Sequence, residues 1–551
     1  SYLDQDGIII GTNLRRATLR ANLNANIRKG VRFTMTLAPS MEWNSLGGVD
    51  GTGGQALNAS QMPPVAPLDA GIYVGAQPYR TYQWAGNYIS PIAVLERRQV
   101  SGERTRLNAN MGLNLDLYKG LQLQLLGGMD NGYYNDQQYY PTNADRLWYS
   151  AAYEGQLSRS RLYQTYTQHY LFQSVLNYVK TYKGVHNLNA IAGYSVERNN
   201  QSDTQQENNT LPNDWSYLFD RANSTVGTSR ILETTPAVLL SYFGRVQYDY
   251  KQKYLVSASL RRDGSSRFGN RRPFGYFPAV SVGWRVSDEP FMRDIKFISD
   301  LKLRASYGVT GNNRIPANSQ YAILGVQNYS LNGTAVTGYS PSTIDNPDLR
   351  WERTGSFDVG FDFYLFNSRL GITFDAYDKK TTDLLYTAPV SAVTGFTNSF
   401  QNIGDLRNQG LELGLNSVNL TGKVQWTSSF NISYNRNKIL RLGFDDTPVP
   451  GGFNNLTSVL QVGQPLGAYI LYDAIGVYQT QAEVDAGPRM SGTRVGDTKY
   501  RDVNGDGVIT NDDRTIVGKP QPDFIYGLTN TVRYGNFDLS VLINAQTGGQ
   551  L

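Results

Sequence analysis

Period-two alternation of apolar and polar residues, sustained over segments longer than an ordinary strand, is the feature that most limits this chain. Ala17, Leu19, Ala21, Leu23, Ala25 and Ile27 alternate with Thr18, Arg20, Asn22, Asn24 and Asn26, and after Arg28-Lys29-Gly30 the pattern resumes at Val31, Phe33, Met35 and Leu37. A helix would repeat its apolar face about every 3.6 residues, so this spacing predicts a β-hairpin. The design returns from Leu107 to Leu117 and from Leu121 to Leu125 around Tyr118-Lys119-Gly120, with Asn108, Asn110, Asn114 and Asp116 on the polar face. It returns again where Phe357, Val359, Phe361, Phe363 and Leu365 oppose Asp358, Gly360 and Asp362, and where Leu370, Ile372, Phe374 and Ala376 oppose Thr373 and Asp375. The pattern predicts about sixteen such strands, many well beyond the usual length of about 5 to 6 residues.

The hairpin turns are short, whereas the stretches between hairpins are long and polar: Trp43 to Glu103, Asn199 to Thr235, Gly311 to Arg350 and Leu442 to Asp523. Short turns on one side and long loops on the other are the signature of an outer-membrane barrel. A strand crossing lipid must satisfy every backbone N–H and C=O, which only a helix or a closed barrel achieves, and the alternation excludes the helix. The apolar face then meets lipid. The other face, with Asp358, Asp362, Asp375 and the asparagines, suits a watery or plug-filled lumen. The expected fold class is therefore all-β, a transmembrane antiparallel β-barrel. A soluble β-sandwich array or propeller would also alternate, but strands this long and the lack of an internal repeat of about 40 to 50 residues argue against both.

Composition narrows the function. Zero Cys removes thiol chemistry and cysteinyl metal sites, and His169 and His186 are the only histidines, which leaves little for a zinc site or a catalytic base. No catalytic residues are expected, and the chain is read as a non-enzyme. A net charge of +5 over 551 residues is too weak for a nucleic-acid footprint, so nucleic acid is set aside as a partner. Aromatics at 12% exclude disorder and, near strand ends, fit interfacial girdles. No run of about 18 apolar residues offers a membrane-spanning helix, and the opening at Ser1 is not a signal segment, so the start is expected to be processed or truncated.

Several segments go beyond pattern. YLVSASLRRDGSSRFGNRRPFGYFPAVSVGWRVSDEPFM from Tyr254, LKLRASYGVTGNN from Leu301, NPDLRWERTGSFDVGFDF from Asn346, NIGDLRNQGLELGL from Asn402 and GDTKYRDVNGDGVITNDDRTIVGKPQPDFIYGL from Gly496 closely resemble the SusC/RagA family of TonB-dependent outer-membrane transporters. The resemblance implies a barrel of about 22 strands around an N-terminal plug. It also implies a SusD-like surface lipoprotein as a lid, energy from TonB delivered through the plug, and import of a bulky glycan or oligopeptide across the outer membrane of a Gram-negative bacterium. The predicted strands fall short of that whole. Residues 1–551 are therefore expected to be a partial TonB-dependent receptor barrel whose plug domain is not in this sequence. A passive or adhesive barrel with calcium-stabilised loops is the alternative.

The sharpest local motif lies in the long segment 442–523, expected to be extracellular. From Asp502 to Asp513, side-chain oxygens fall at loop positions 1, 3, 5, 9 and 12 (Asp502, Asn504, Asp506, Thr510, Asp513). Val508 offers a backbone carbonyl at position 7, and Gly507 occupies the sharp turn at position 6. This is the spacing of an EF-hand-like calcium loop, with Asp513 where that loop has Glu, and a structural Ca2+ is expected there. Arg261 to Gly269 offers Gly, Ser and Arg together, but no helix follows, so it reads as a structural loop tip. Tyr133, Tyr134, Tyr139, Tyr140, Trp148 and Tyr149 cluster where a strand meets a long loop and are candidate substrate-stacking residues, against a girdle or packing role. His169 and His186 flank the turn at Tyr182-Lys183-Gly184 too far apart to share a metal.

Overall fold

The computed structural model describes residues 1–45, 60, 95, 98–140, 158–211, 225–233, 236–269, 271–316, 318–443, 445–451 and 457–550. Among these residues the long strands run from 11 to 26 residues, and no helix is long and apolar enough to cross a membrane. The chain divides into two compact units, Ser1–Asn177 with Gly193–Leu240, and Tyr178–Ala192 with Ser241–Leu551.

In the first unit, Val31–Asn44 pairs on one side with Gln99–Tyr118, which pairs in turn with Leu121–Tyr140. The predicted hairpin is present, with Leu23 opposite Met35 and Ala25 opposite Phe33. The single strand expected from Ala17 to Ile27 is, however, two strands, Asn13–Thr18 and Ala21–Arg28. The break falls opposite Pro39. Its carbonyl accepts from the Leu19 N–H at 3.1 Å, but it has no N–H to return, so the ladder is interrupted there.

The second unit is an antiparallel meander in which each long strand pairs with the next: Tyr254–Ser265, Phe274–Arg285, Ile298–Asn312, Glu352–Leu365, Leu370–Thr382, Asp405–Thr421, Val424–Arg441, Phe524–Tyr534 and Phe537–Thr547. The register keeps the alternation intact across strands. Leu303 lies opposite Phe361, which lies opposite Phe374, and Phe374 lies opposite Leu413. On this face Val256, Val282, Leu303, Tyr307, Phe357, Val359 and Leu411 are solvent-exposed although apolar, which a water-facing sheet does not sustain over so many strands. The Phe361 and Phe374 rings lie 5.6 Å apart on it.

The segments expected to be bare loops carry structure of their own. The strand His186–Leu211 runs well into the stretch 199–235, where Thr225–Glu233 pairs with it. The hairpin Leu324–Leu331 with Thr334–Pro341 stands inside 311–350. Segment 442–523 holds a small sheet of Val449–Gly451, Ser458–Leu460, Ala468–Tyr472 and Arg514–Gly518, and a helix Gln481–Ala486 capped by the Thr480 side chain. Among the described residues these short loop strands, which have no long alternating run to betray them, add to the strands the alternation predicts.

Candidate functional site

On the polar face of the second unit, Arg304 sits between two carboxylates. Its guanidinium reaches Asp362 at 3.1 Å and Asp375 at 2.9 Å. Arg304, Gly360 and Asp375 occupy one register line on three successive strands, so Arg304 and Asp375 meet across the strand between them. That reach needs glycine at 360: a Cβ there would stand 2.3 Å from the Asp375 carboxylate. Lys302, Ser306 and Asp358 extend this face, and a cavity of about 670 Å³ opens over it, bounded also by Asn187, Asn189 and Asp249. Asp249 accepts from Asn187 at 2.9 Å. This surface is hydrophilic, paired at Arg304 and at Asp249, and unsuited to lipid.

At the loop end of the same strands, four of the five segments that carry the sequence resemblance converge. Trp351, 5% exposed, packs its ring against Phe268 at 5.2 Å and edge-on to Phe277 at 5.3 Å, and its indole N–H donates to the Pro273 carbonyl at 3.0 Å. Leu349 and Ile315 are buried in the same region. The Asn402 amide donates to the carbonyls of Arg350 and Asp383 and accepts from the Arg350 N–H. Arg261 is held by Asp263 and Ser241, and Arg267 donates to the Ile315 carbonyl at 2.9 Å, so these two cations of the Arg261–Gly269 loop are engaged within the protein. The loop is a packed structural element.

The loop from Asp502 to Asp513 is shaped by its own side chains. Asp502 accepts from the N–H groups of Gly505 and Gly507 at 2.7 and 2.8 Å, Asn504 from that of Asp506, and Asp506 from that of Val508. Gly507 takes φ +84, the left-handed turn expected at position 6. Asp513 is fully buried and accepts from the N–H groups of Thr510 and Val503. These backbone donors, led by Thr510, hold its carboxyl below the usual carboxylate range. The donor chemistry is that of a hard cation site. In this arrangement, though, the oxygens serve backbone amides, and among the described residues no three His, Cys, Asp or Glu side chains converge on one metal-sized point.

The aromatic candidates fall on both faces of one strand. Tyr133 lies on the apolar face, 4.9 Å from the ring of Tyr166, whereas Tyr134 is on the polar face with Arg104 5.0 Å over its ring. Tyr139 is buried. The Tyr140 side chain, Trp148 and Tyr149 lie outside the described residues. The two histidines have separate local partners: His169 Nδ1 lies 2.5 Å from the Asn199 amide oxygen, and His186 Nδ1 2.7 Å from the Tyr248 hydroxyl.

Residues 40–545 match the family described as TonB dependent receptor-like, beta-barrel. The chain belongs to that family. Over its whole length it is 32% identical to the TonB-dependent receptor P3 of Formosa agariphila, covering 55% of that protein. Over 56% of its length it is 33% identical to the TonB-dependent receptor SusC of Bacteroides thetaiotaomicron, covering 31% of it. Its fold is similar to that of the RagAB peptide transporter, with a TM-score of 0.80 at 21% identity, over 100% of this chain and 59% of that one. The chain thus spans about half the length of the curated relatives it matches in full.

As a SusC/RagA-like receptor barrel it resides in the outer membrane, and its family is one of TonB-dependent receptors rather than enzymes. The exposed apolar face is then the lipid face, and Asp358, Asp362 and Arg304 line the interior. Sequence reading marked the aspartates of that face but missed Arg304. The signal was available: in LKLRASYG the alternation places Lys302, Arg304 and Ser306 together, opposite in phase to Leu301 and Leu303.

Proposed function

We propose that this barrel serves TonB-dependent import of a bulky nutrient, a glycan or an oligopeptide, in company with a SusD-like lipoprotein that covers its outer mouth. The observation that carries the reading is membership of the TonB-dependent receptor barrel family across residues 40–545, together with likeness to SusC. A polar inner wall of paired charges agrees with it, since an import path needs a water-compatible lining while lipid needs the opposite. Mild-detergent extraction of the protein from outer membranes, followed by mass spectrometry, is expected to recover a surface lipoprotein and a bound oligosaccharide or peptide. Deletion of the gene should abolish uptake of that solute. A barrel that never carries such a lipoprotein, and whose loss leaves uptake unchanged, would point to the passive or adhesive alternative.

The same reading includes a structural Ca2+ held by Asp502, Asn504, Asp506, the Val508 carbonyl, Thr510 and Asp513. It is supported by the donor spacing and by the turn at Gly507. Binding requires the carboxylates to turn from backbone amides toward the ion, with oxygen distances of about 2.3 to 2.6 Å. Asp506→Ala combined with Asp513→Ala is expected to make segment 442–523 as protease-sensitive with calcium as the wild type is with chelator. Equal cleavage of the wild type in both conditions, with no metal by elemental analysis, would leave the loop as an ion-free Asx turn.

A further inference from the structure

Just beyond the lipid-facing apolar band, on the side of the long loops, the second unit carries a row of outward cations. Lys380 lies directly opposite Arg407, and Arg407 directly opposite Lys438, on three successive strands. Arg353 stands on the neighbouring strand opposite Thr382, and Arg436 lies one outward position below Lys438. All five side chains are exposed. Like charges facing each other across strands are destabilising, so such a row calls for a counter-charge. The sheet supplies only part of it. Asp378 pairs with Arg407, and Asp405, shared with Arg441 at 3.5 Å, reaches Lys380 at 3.9 Å. Among the described residues no carboxylate forms an ion pair with Arg353, Arg436 or Lys438. Immediately below the row the same face turns aromatic, with Tyr307, Phe357 and Tyr434, and an open depression of about 500 Å³ joins the two zones.

We infer that this row, Arg353, Lys380, Arg436 and Lys438 above Tyr307 and Phe357, is a binding site for the phosphorylated headgroup of an outer-leaflet glycolipid of the lipid A type. The inference rests on the outer-membrane barrel orientation and not on the cargo. Cations at headgroup height attract anionic lipid phosphates, and the aromatic and apolar residues below meet the first acyl carbons. The site is continuous with the lipid-facing band, so a lipid already in the membrane needs no detachment to occupy it.

The test uses the whole receptor, extracted from outer membranes in mild detergent and stripped of lipid. Diphosphoryl lipid A, dephosphorylated lipid A and inorganic phosphate are added separately, and binding is read by native mass spectrometry and by the shift in unfolding temperature. Diphosphoryl lipid A is expected to bind and raise the unfolding temperature, and the other two to do neither. Replacing Arg353, Lys380 and Lys438 together by Gln should weaken binding about tenfold or more, whereas Lys380→Arg with Lys438→Arg should retain it and Arg28→Gln with Lys29→Gln should not change it. Binding to the wild type should also fall as salt rises from about 0.1 to about 1 M, where the screening length drops from about 10 to about 3 Å. This last readout stands even where the triple variant does not fold. Equal binding of the phosphorylated and dephosphorylated lipids, salt-insensitive binding, or a folded triple variant that binds as the wild type does would each overturn the inference, and binding of inorganic phosphate as strong as that of the lipid would reassign the row to a soluble anion.

Discussion

Trp351→Ala is expected to destabilise the second unit by about 3 to 5 kcal/mol, the cost of emptying a large aromatic site from a packed interior. Trp351 fills the space between Phe268 and Phe277 and pins the Pro273 carbonyl through its indole N–H. It draws together the strand ends at 263–277 and 311–315 and the start of Glu352–Leu365. Loss should appear as a lower unfolding temperature of the purified barrel and as faster proteolysis between residues 263 and 277. Trp351→Phe keeps most of the ring but not the N–H and should cost less. If Trp351→Ala unfolds at the wild-type temperature, the cluster is a passive covering and not a brace.

Phe361→Arg is expected to cost about 2 to 4 kcal/mol, the penalty for a cation near the bilayer midplane on the lipid face of a barrel. The position is set by register: outward residues on this strand run from Arg353, at the level of the cation row, down to Leu365 at the short turn, and Phe361 lies between those limits with Phe374 and Leu303 beside it. Folding into vesicles, followed by denaturant titration, measures the difference. Arg at Ser356, whose side chain faces inward, is the matched control and should cost far less. Equal costs at the two positions would reverse the assignment of faces.

The barrel class, the faces of its long strands and the positions of its short turns were legible because period-two alternation survives intact over ten or more residues. Phe357 to Leu365 declared both of their surroundings at once. The break at Leu19-Arg20 was not legible, because its cause, Pro39, lies on the partner strand. The loop hairpins and the small sheet in 442–523 escaped for another reason: strands of three to eight residues give too few alternations to separate from turn. The site was read unevenly. The spacing from Asp502 to Asp513 announced its turn, since every donor is local in sequence. The Arg304 bridge needs Ile298–Asn312 beside Glu352–Leu365, and a long connection separates those two strands, so no local window contains it.

That bridge bears on how the sheet is put together. Arg304 on Ile298–Asn312 meets Asp375 on Leu370–Thr382 only when Glu352–Leu365 lies between them with Gly360 in line. A slip of one residue by the middle strand would place Val359 or Phe361 in that gap and turn Asp362 to the wrong side, so the guanidinium would lose both carboxylates in a single step. The glycine thus acts as a proofreading notch: neighbouring strands can zip in several phases on backbone bonds alone, but only one phase closes the bridge two strands away.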